Sequence, residues 1–436
     1  MIRPGDIVWF FYEILFWTGI LAASPHYVLR MRKRGGYRRN FGERFGKFSA
    51  ETSARLAELR DPLWIHAVSV GEVQLAVALI AALRGREPGL QFLLTTTTST
   101  GYAIAKEHEA AGLVVVYAPL DSRFCFGRLH ARVQPRAIAV MEAEIWPNHL
   151  SYCARLRIPL LLINARISPG SFRSYRRFSA VFGPVFRAFE LITLQAESDR
   201  ARLRELGARD EAMRVIGSLK YGTARSGDER KREALLDDLA FLEDGPVLCG
   251  ASTHSGEEEI LVELWGRLAQ EYPRLRLVLA PRHVERKPEI TEMLERRHVD
   301  FMCRSNASEE RKRAPVVLLD TTGDLRHVLE LANVVFIGKS LRGRGGQNLL
   351  EPAWHGKPVV FGPHMENFRP IVEDFLSAQA AVQVPDEEGL ERAVRKLLNG
   401  EGKDLGRRAK ALVESKQDVL EKTVELVLAA LDPHER

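Results

Sequence analysis

The feature that most constrains this 436-residue chain is an alternation, run through twice, of short apolar runs and helix-like segments. From Leu63 onward, "LWIHAVS", "LQFLLTTTT", "LVVVYAPL", "AIAVME", "LLLINARI", "LITLQAE" and "MRVIGS" are of strand length and rich in Val, Ile, Leu and Thr. Runs that are apolar almost without interruption belong to strands buried on both faces. Between them lie segments such as "VQLAVALIAALRG" and "SDRARLRELGA", which read as helices. Strand, helix, strand in repeated order implies right-handed crossovers and a parallel sheet. A polar stretch, Tyr221–Glu233, breaks the pattern and reads as a linker. A second series follows: "PVLCGAS", "LRLVLAPRH", "PVVLLD", "NVVFIG", "KPVVFG" and "AAVQV", then the amphipathic "KQDVLEKTVELVLAALD". The chain is too long for one ordinary core. The expected fold class is α/β, with two Rossmann-like doubly wound domains, residues 49–222 and 223–436, the C-terminal helix belonging to the second.

Residues 1–48 stand apart. Ile7 to Ala23, "IVWFFYEILFWTGILAA", is nearly continuous apolar and aromatic sequence interrupted by Glu13. Its length is at the lower limit for a membrane span. From Arg30 to Lys47 the sequence "RMRKRGGYRRNFGERFGK" is densely basic, with Glu43 its single acid. A signal peptide has a basic start, a cleavage site and no such block after it. By the positive-inside rule the block keeps the remainder of the chain in the cytoplasm, where it would meet anionic lipid head groups. A membrane-anchor helix, spanning or interfacial, is expected here, on the cytoplasmic face; the alternative is a buried N-terminal helix. Much of the formal net charge of +6 sits in this segment, which argues against a nucleic-acid surface. Cys125, Cys153, Cys249 and Cys303 are far apart and form no C-x-x-C pair, so reduced thiols are expected rather than a zinc site or a disulfide framework.

In open parallel sheets, ligands bind beyond the carboxyl ends of the strands, so the loops there should carry the chemistry, and two such domains leave a cleft. In the second domain "GASTHSGEEE" follows a strand and opens a helix. Ser252 and Thr253 offer hydroxyls, and the stretch is either an anion cradle or an ordinary N-cap with acids in its first turn. "APRH" ends the next strand with Pro281 and Arg282; the arginine suits a phosphate or carboxylate, or a surface ion pair. "DTTGDL" brings Thr322, Gly323, Asp324 and Leu325 to another strand end, where the glycine and the amides after it could face a base or ribose. The most specific stretch is "GKSLRGRGGQNLLEPAWHGKPVVFG". Its glycines permit a mobile, positive loop, and Asn348, Leu349, Leu350 and Glu351 lie at the start of a short helix. Glu351 could accept both hydroxyls of a ribose, and Asn348 could face a phosphate. No D-x-D or H-E-x-x-H motif is present, and no G-x-G-x-x-G in strand–helix context; nothing calls for a metal or a cofactor.

The first domain carries fewer charges in its strand-end loops. "HAVSVGE" places Glu72 just after a glycine at a strand-to-helix turn, where a carboxylate is either an N-terminal helix charge or a working acid. "MEAEIWPN" adds Glu142 and Glu144, on one side if extended. "TTTTSTGY" supplies the hydroxyls of Thr98 and Ser99, and "NARIS" supplies Arg166. Together these could surround a polyhydroxylated or phosphorylated acceptor.

"HAVSVGE", "TTTTSTG", "MEAEIWPN", "NARIS", "GASTHSGEE", "APRH" and "GRGGQNLLEPA" occur in this order, and the chain resembles the bacterial 3-deoxy-D-manno-octulosonic acid (Kdo) transferases. The resemblance runs from the N-terminal anchor to near the C-terminus. It implies a GT-B fold, CMP-Kdo as donor, the lipid A precursor as acceptor at the inner membrane, inversion at the transferred sugar and no metal. It implies that Glu72 is the general base, that Glu142 matters to positioning, and that Glu351 holds the ribose. Where the family has "STHEGEE", Ser255 replaces the first Glu; Ala143 and Gln347 are further departures. None removes a residue given a charged role. Two competing readings remain: a GT-B transferase or epimerase using a UDP-sugar, and a membrane-tethered nucleotide-binding protein without catalysis.

Overall fold

The computed structural model describes residues 9–22, 24, 40–223, 233, 235, 238–239, 242, 244–306 and 314–432. The chain divides into two compact units. One comprises the residues up to Leu219 together with those from Asp418 on, and the other runs from Lys220 to Gln417.

The first unit is built on a seven-stranded sheet with the order β3-β2-β1-β4-β5-β6-β7. Its strands are β1 (Leu63–His66), β2 (Phe92–Thr96), β3 (Leu113–Tyr117), β4 (Ala137–Met141), β5 (Leu160–Ala165), β6 (Phe189–Leu194) and β7 (Met213–Val215). Every pairing is parallel; Ile65 of β1 lies between Leu94 of β2 and Ala139 of β4. Alternate side chains feed opposite faces, as the strand period requires. Leu63, Ile65, Leu94 and Val115 join one core cluster, and Trp64, Leu93, Val116 and Ile138 the other. Both faces are covered, which is why the runs read as continuously apolar. The chain steps outward from β1 to β3, then returns to β4 on the other side of β1. That reversal is where ligands bind in such sheets.

The second unit repeats the plan with the order β10-β11-β9-β8-β12-β13-β14. Its strands are β8 (Val247–Thr253), β9 (Arg276–Pro281), β10 (Phe301–Cys303), β11 (Val316–Leu318), β12 (Val334–Ile337), β13 (Val359–Phe361) and β14 (Val382–Gln383). All are parallel, and β8, at the reversal, pairs with β9 and β12.

Three sequence expectations need correction. The edge strand β10 has no counterpart among the apolar runs, because it is three residues long, half-exposed and flanked by Asp300 and Arg304. The C-terminal helix, Val419–Leu431, does not belong to the second unit. Its Val419, Val424, Val427 and Leu431 bury themselves with Leu75, Leu79 and Leu83 of the helix Val70–Arg86 in the first unit's core. Its apolar stripe thus serves a surface more than 300 positions earlier in sequence, which local pattern cannot reveal. The expected linker also begins too early: Tyr221 is fully buried in the second unit's core and donates its hydroxyl to Asp374 Oδ2 at 2.8 Å. Residues 224–232 of that linker lie outside the described residues, as do residues 25–39, most of the basic block.

Residues 9–22 form a helix. Among the described residues no helix is long and apolar enough to cross a membrane. Glu13, which interrupts the apolar run, has a structural partner: its Oε2 accepts from Asn148 Nδ2 at 2.7 Å and from the Arg123 amide at 3.3 Å. Beside it, Tyr12 donates its hydroxyl to Asp121 Oδ2 at 3.0 Å. Trp9 is buried, whereas Phe10, Phe11, Ile14, Leu15 and Leu21 are exposed.

Candidate active site

In the first unit the site begins where β1 ends. Ser69 caps the helix Val70–Arg86, its hydroxyl oxygen accepting from the Glu72 amide at 3.3 Å. The Ser69 hydroxyl donates in turn to Glu72 Oε1 at 2.7 Å, and the Val68 amide donates to Glu72 Oε2 at 2.9 Å. This is the S-x-x-E capping arrangement, with the glutamate folded back over its own helix start. Glu72 is only 7% exposed.

The threonine-rich loop after β2 braces that turn. Thr96 and Thr98 both donate their hydroxyls to the Val68 carbonyl, at 3.3 and 3.2 Å. Thr98 also caps the helix Ser99–Glu107 by accepting from the Gly101 amide. A Cβ at Gly101 would stand 2.7 Å from the Thr98 hydroxyl, so the "TSTG" spacing is a packing requirement. Thr98 and Ser99 are exposed at this strand end.

The loop after β4 completes the group. Glu142 adopts φ +55°, a left-handed conformation uncommon outside glycine, and its amide donates to the Ile163 carbonyl at 2.8 Å. Tyr175 donates its hydroxyl to the Ala143 carbonyl at 3.0 Å, and the Trp146 ring meets His66 edge-on at 5.4 Å. β2, β1 and β4 are adjacent, so Glu72, Thr98, Ser99, Glu142 and Glu144 gather at the carboxyl ends of three neighbouring strands. Arg166 follows β5, one strand farther out, where its charge bears on Asp199.

The electrostatics single out Glu72. Burial pushes its carboxyl up to about 7; the Val68 amide and the Ser69 hydroxyl pull it down, and the charges of Glu142 and Glu144 push it further up. Burial also raises Glu144, with Glu142 adding to the shift. A carboxylate poised near neutrality is matched to taking a proton from a weak acid such as a sugar hydroxyl.

In the second unit the predicted residues also lie at strand ends. Ser252 takes φ +55°, and Thr253 is fully buried, its hydroxyl without a partner among the described residues. Pro281 is buried at the end of β9; Arg282 is exposed, its amide donating to the Thr253 carbonyl at 3.0 Å. Thr322 and Gly323 are exposed after β11, and Asp324 accepts the Thr321 hydroxyl at 2.6 Å beside the half-buried Leu325. After β12, Asn348 Oδ1 accepts from the Leu350 amide at 3.0 Å, and its Nδ2 donates to Glu351 Oε1 at 3.2 Å. Leu349 and Leu350 are fully buried in the second unit's core. The helix they open, Leu350–Trp354, is five residues long, the short helix expected from the motif.

Residues 39–223 match the profile of the family described as 3-Deoxy-D-manno-octulosonic-acid transferase (kdotransferase). The chain is 33% identical over 390 residues to the 3-deoxy-D-manno-octulosonic acid transferase of Haemophilus influenzae, covering 88% of this chain and 87% of that protein. The protein belongs to the Kdo transferase family. The Bordetella pertussis Kdo transferase is 34% identical over 367 residues, with 82% of this chain and 83% of that one covered. Among solved structures, the UDP-GlcNAc 2-epimerase from Neisseria meningitidis bound to UDP-GlcNAc aligns with a TM-score of 0.59. Its identity is 12%, and 84% of this chain and 99% of that one are covered. Anabaena HepE in complex with UDP aligns at 0.57, with 15% identity and 85% and 100% covered. At such identities the likeness concerns the fold alone. Kdo transferases are glycosyltransferases, and the protein is an enzyme of that class.

For this Kdo transferase, sequence reasoning found Glu72 but not what holds it. Ser69, Val68 and Thr96 were legible only as part of a turn, although the S-x-x-E spacing of Ser69 and Glu72 was a usable signal. It also passed over Glu257, read as one of several acids in a helix's first turn.

Proposed function

We propose that this enzyme is an inverting, metal-independent glycosyltransferase that moves Kdo from CMP-Kdo to the lipid A precursor, with Glu72 as general base. The observation that carries the reading is the buried, doubly hydrogen-bonded Glu72 carboxyl raised to about 7. An acceptor hydroxyl is a poor nucleophile until its proton is taken. As its oxygen bonds to the anomeric carbon, the proton passes to Glu72, and the bond from that carbon to the phosphate oxygen breaks, releasing CMP. Attack from the face opposite the leaving group inverts the centre. Charge gathers on the departing phosphate, for which the exposed Arg282 is a cation at the strand end; Ser252, Gly323, Asn348 and Glu351 are among the other donor-side residues. Glu142 sets the charge around Glu72 and helps position base and acceptor, while Thr98, Ser99, Glu144 and Arg166 form the acceptor side.

The reading extends to location. The helix over residues 9–22 presents Phe10, Phe11, Ile14, Leu15 and Leu21 outward while Tyr12 and Glu13 tie it to the first unit. Such a helix suits an interfacial anchor on the cytoplasmic face of the inner membrane, with the basic run from Arg30 to Lys47 drawn to anionic lipids.

The test uses the purified full chain with CMP-Kdo and lipid A precursor, the product being identified by mass. Glu72→Gln should keep CMP binding in calorimetry and lose transfer by roughly two to four orders of magnitude. Retained transfer overturns the base assignment; binding of UDP in place of CMP overturns the donor.

A further inference from the structure

We infer that Glu257 is a positioning residue for the donor loop: an internal carboxylate that fills the loop's anion nest and so fixes its shape before any ligand arrives. The inference rests on the second unit's reading as the donor-binding half.

Glu257 is the first residue of the helix Glu257–Leu268 and is fully buried. Among the described residues no lysine or arginine side chain pairs with it. Its partners are backbone amides instead. Oε2 accepts from Lys339 at 2.7 Å and from His254 at 2.9 Å. Oε1 accepts from Ser340 and Leu341 at 3.1 Å each, and from Arg342 at 3.4 Å. Four consecutive amides, 339 to 342, thus converge on one carboxylate. Successive amides turned to one side form an anion-binding concavity, the device by which many loops hold phosphate. Here Lys339 at φ +56° opens the curve, and the protein supplies its own anion.

The neighbours show why the shape matters. The loop is pressed against the end of β8: a Cβ at Gly338 would stand 2.3 Å from the Ser252 carbonyl oxygen. Gly362 is equally tight against the Ser340 carbonyl, and its amide donates to the Ser340 hydroxyl at 2.8 Å. Glu257 therefore joins two of the stretches assigned to the donor, the one around Ser252 and the one leading to Asn348 and Glu351. Its amides being already occupied, residues 339–342 shape the pocket rather than bind the donor phosphate themselves.

The test uses the full chain without nucleotide. In Glu257→Ala, mass-spectrometric hydrogen exchange over residues 338–346 should quicken at least tenfold, while β9 stays as in the wild type. Sodium formate should restore slow exchange, and sodium chloride at equal ionic strength should not. CMP affinity, read by calorimetry, should fall at least tenfold and recover with formate. A folded Glu257→Ala with unchanged exchange, or one indifferent to formate, overturns the inference. If that variant does not fold, exchange is read on Glu257→Gln, whose NH2 group would face amide donors: faster exchange supports the nest and unchanged exchange overturns it. Should the wild type bind no CMP, the donor reading fails while the exchange result still decides the role of Glu257.

Discussion

Ser69 and Glu72 hold each other: the Ser69 hydroxyl donates to Glu72 Oε1 at 2.7 Å, and the Glu72 amide donates to the Ser69 oxygen at 3.3 Å. One serine therefore caps a helix and steadies the proposed base. The hydroxyl stabilises the charged carboxylate, so Ser69→Ala should raise the Glu72 pKa and move the acid limb of kcat/KM to higher pH. It should also remove a cap worth about 1 kcal/mol. A pH–rate profile beside a denaturant midpoint reads both effects. A limb that does not move would mean that another group sets it.

Glu142→Gln should act in the opposite sense. Its charge pushes Glu72 upward, so its loss should lower the Glu72 pKa and carry the acid limb to lower pH. The same profile checks it. The pair of variants separates an electrostatic effect on the base from general damage, which would lower the rate without moving the limb in two directions.

How far these relationships were legible in the sequence depends on their range. Strands β1 to β5 of the first unit were readable because each is buried on both faces and leaves an apolar run. Glu72 stood out as a charge in an otherwise apolar strand-end loop. Its pKa was not readable, because burial and the field of Glu142 depend on β4 lying next to β1, which a linear pattern does not contain. Glu257 was hidden for the same reason: acids in a first turn are ordinary, and only the fold brings the amides of 339–342 around one of them. The C-terminal helix is legible as a helix but its unit is not, since its stripe says that it packs but not on what.

Protonation of Glu72 also couples to stability. Its folded pKa, about 7, lies above the ordinary 4.5. The contribution is therefore fully present below the unfolded pKa and is lost as pH rises through 7. Glu72→Gln removes the buried charge, so the variant should gain on the wild type between pH 5 and pH 8, by at most roughly 3 kcal/mol. Urea unfolding at the two pH values measures the gain; an equal difference at both would show that the carboxyl is not raised.

Gly338→Ala should be severe. Its Cβ would meet the Ser252 carbonyl oxygen at 2.3 Å and the Thr253 Cα at 2.6 Å, both backbone atoms that no rotamer change can move aside. Overpacking of this kind costs about 1–3 kcal/mol. The damage should appear as weakened CMP binding as well as a lower midpoint. Gly71→Ala, with nothing within 4 Å of its added Cβ, serves as the tolerant control for stability.

The N-terminal helix gives the last prediction. Phe11 and Leu15 are 64% and 69% exposed, four positions apart and so on one face, whereas Glu13 and Tyr12 are spent on Asn148 and Asp121. A face that lies in the lipid interface should lose affinity when charged, so Phe11→Glu with Leu15→Glu should weaken binding to anionic vesicles. Transfer to vesicle-borne acceptor should fall with it, and transfer to a short-chain soluble acceptor should not. Glu13→Gln keeps the apolar face but weakens the tie to Asn148 and the Arg123 amide. It should leave vesicle binding near the wild-type level and lower the midpoint instead. If the doubly charged variant binds vesicles as the wild type does, the exposed face is not the membrane contact. If both acceptors suffer equally, the helix supports the fold of the first unit rather than its approach to lipid.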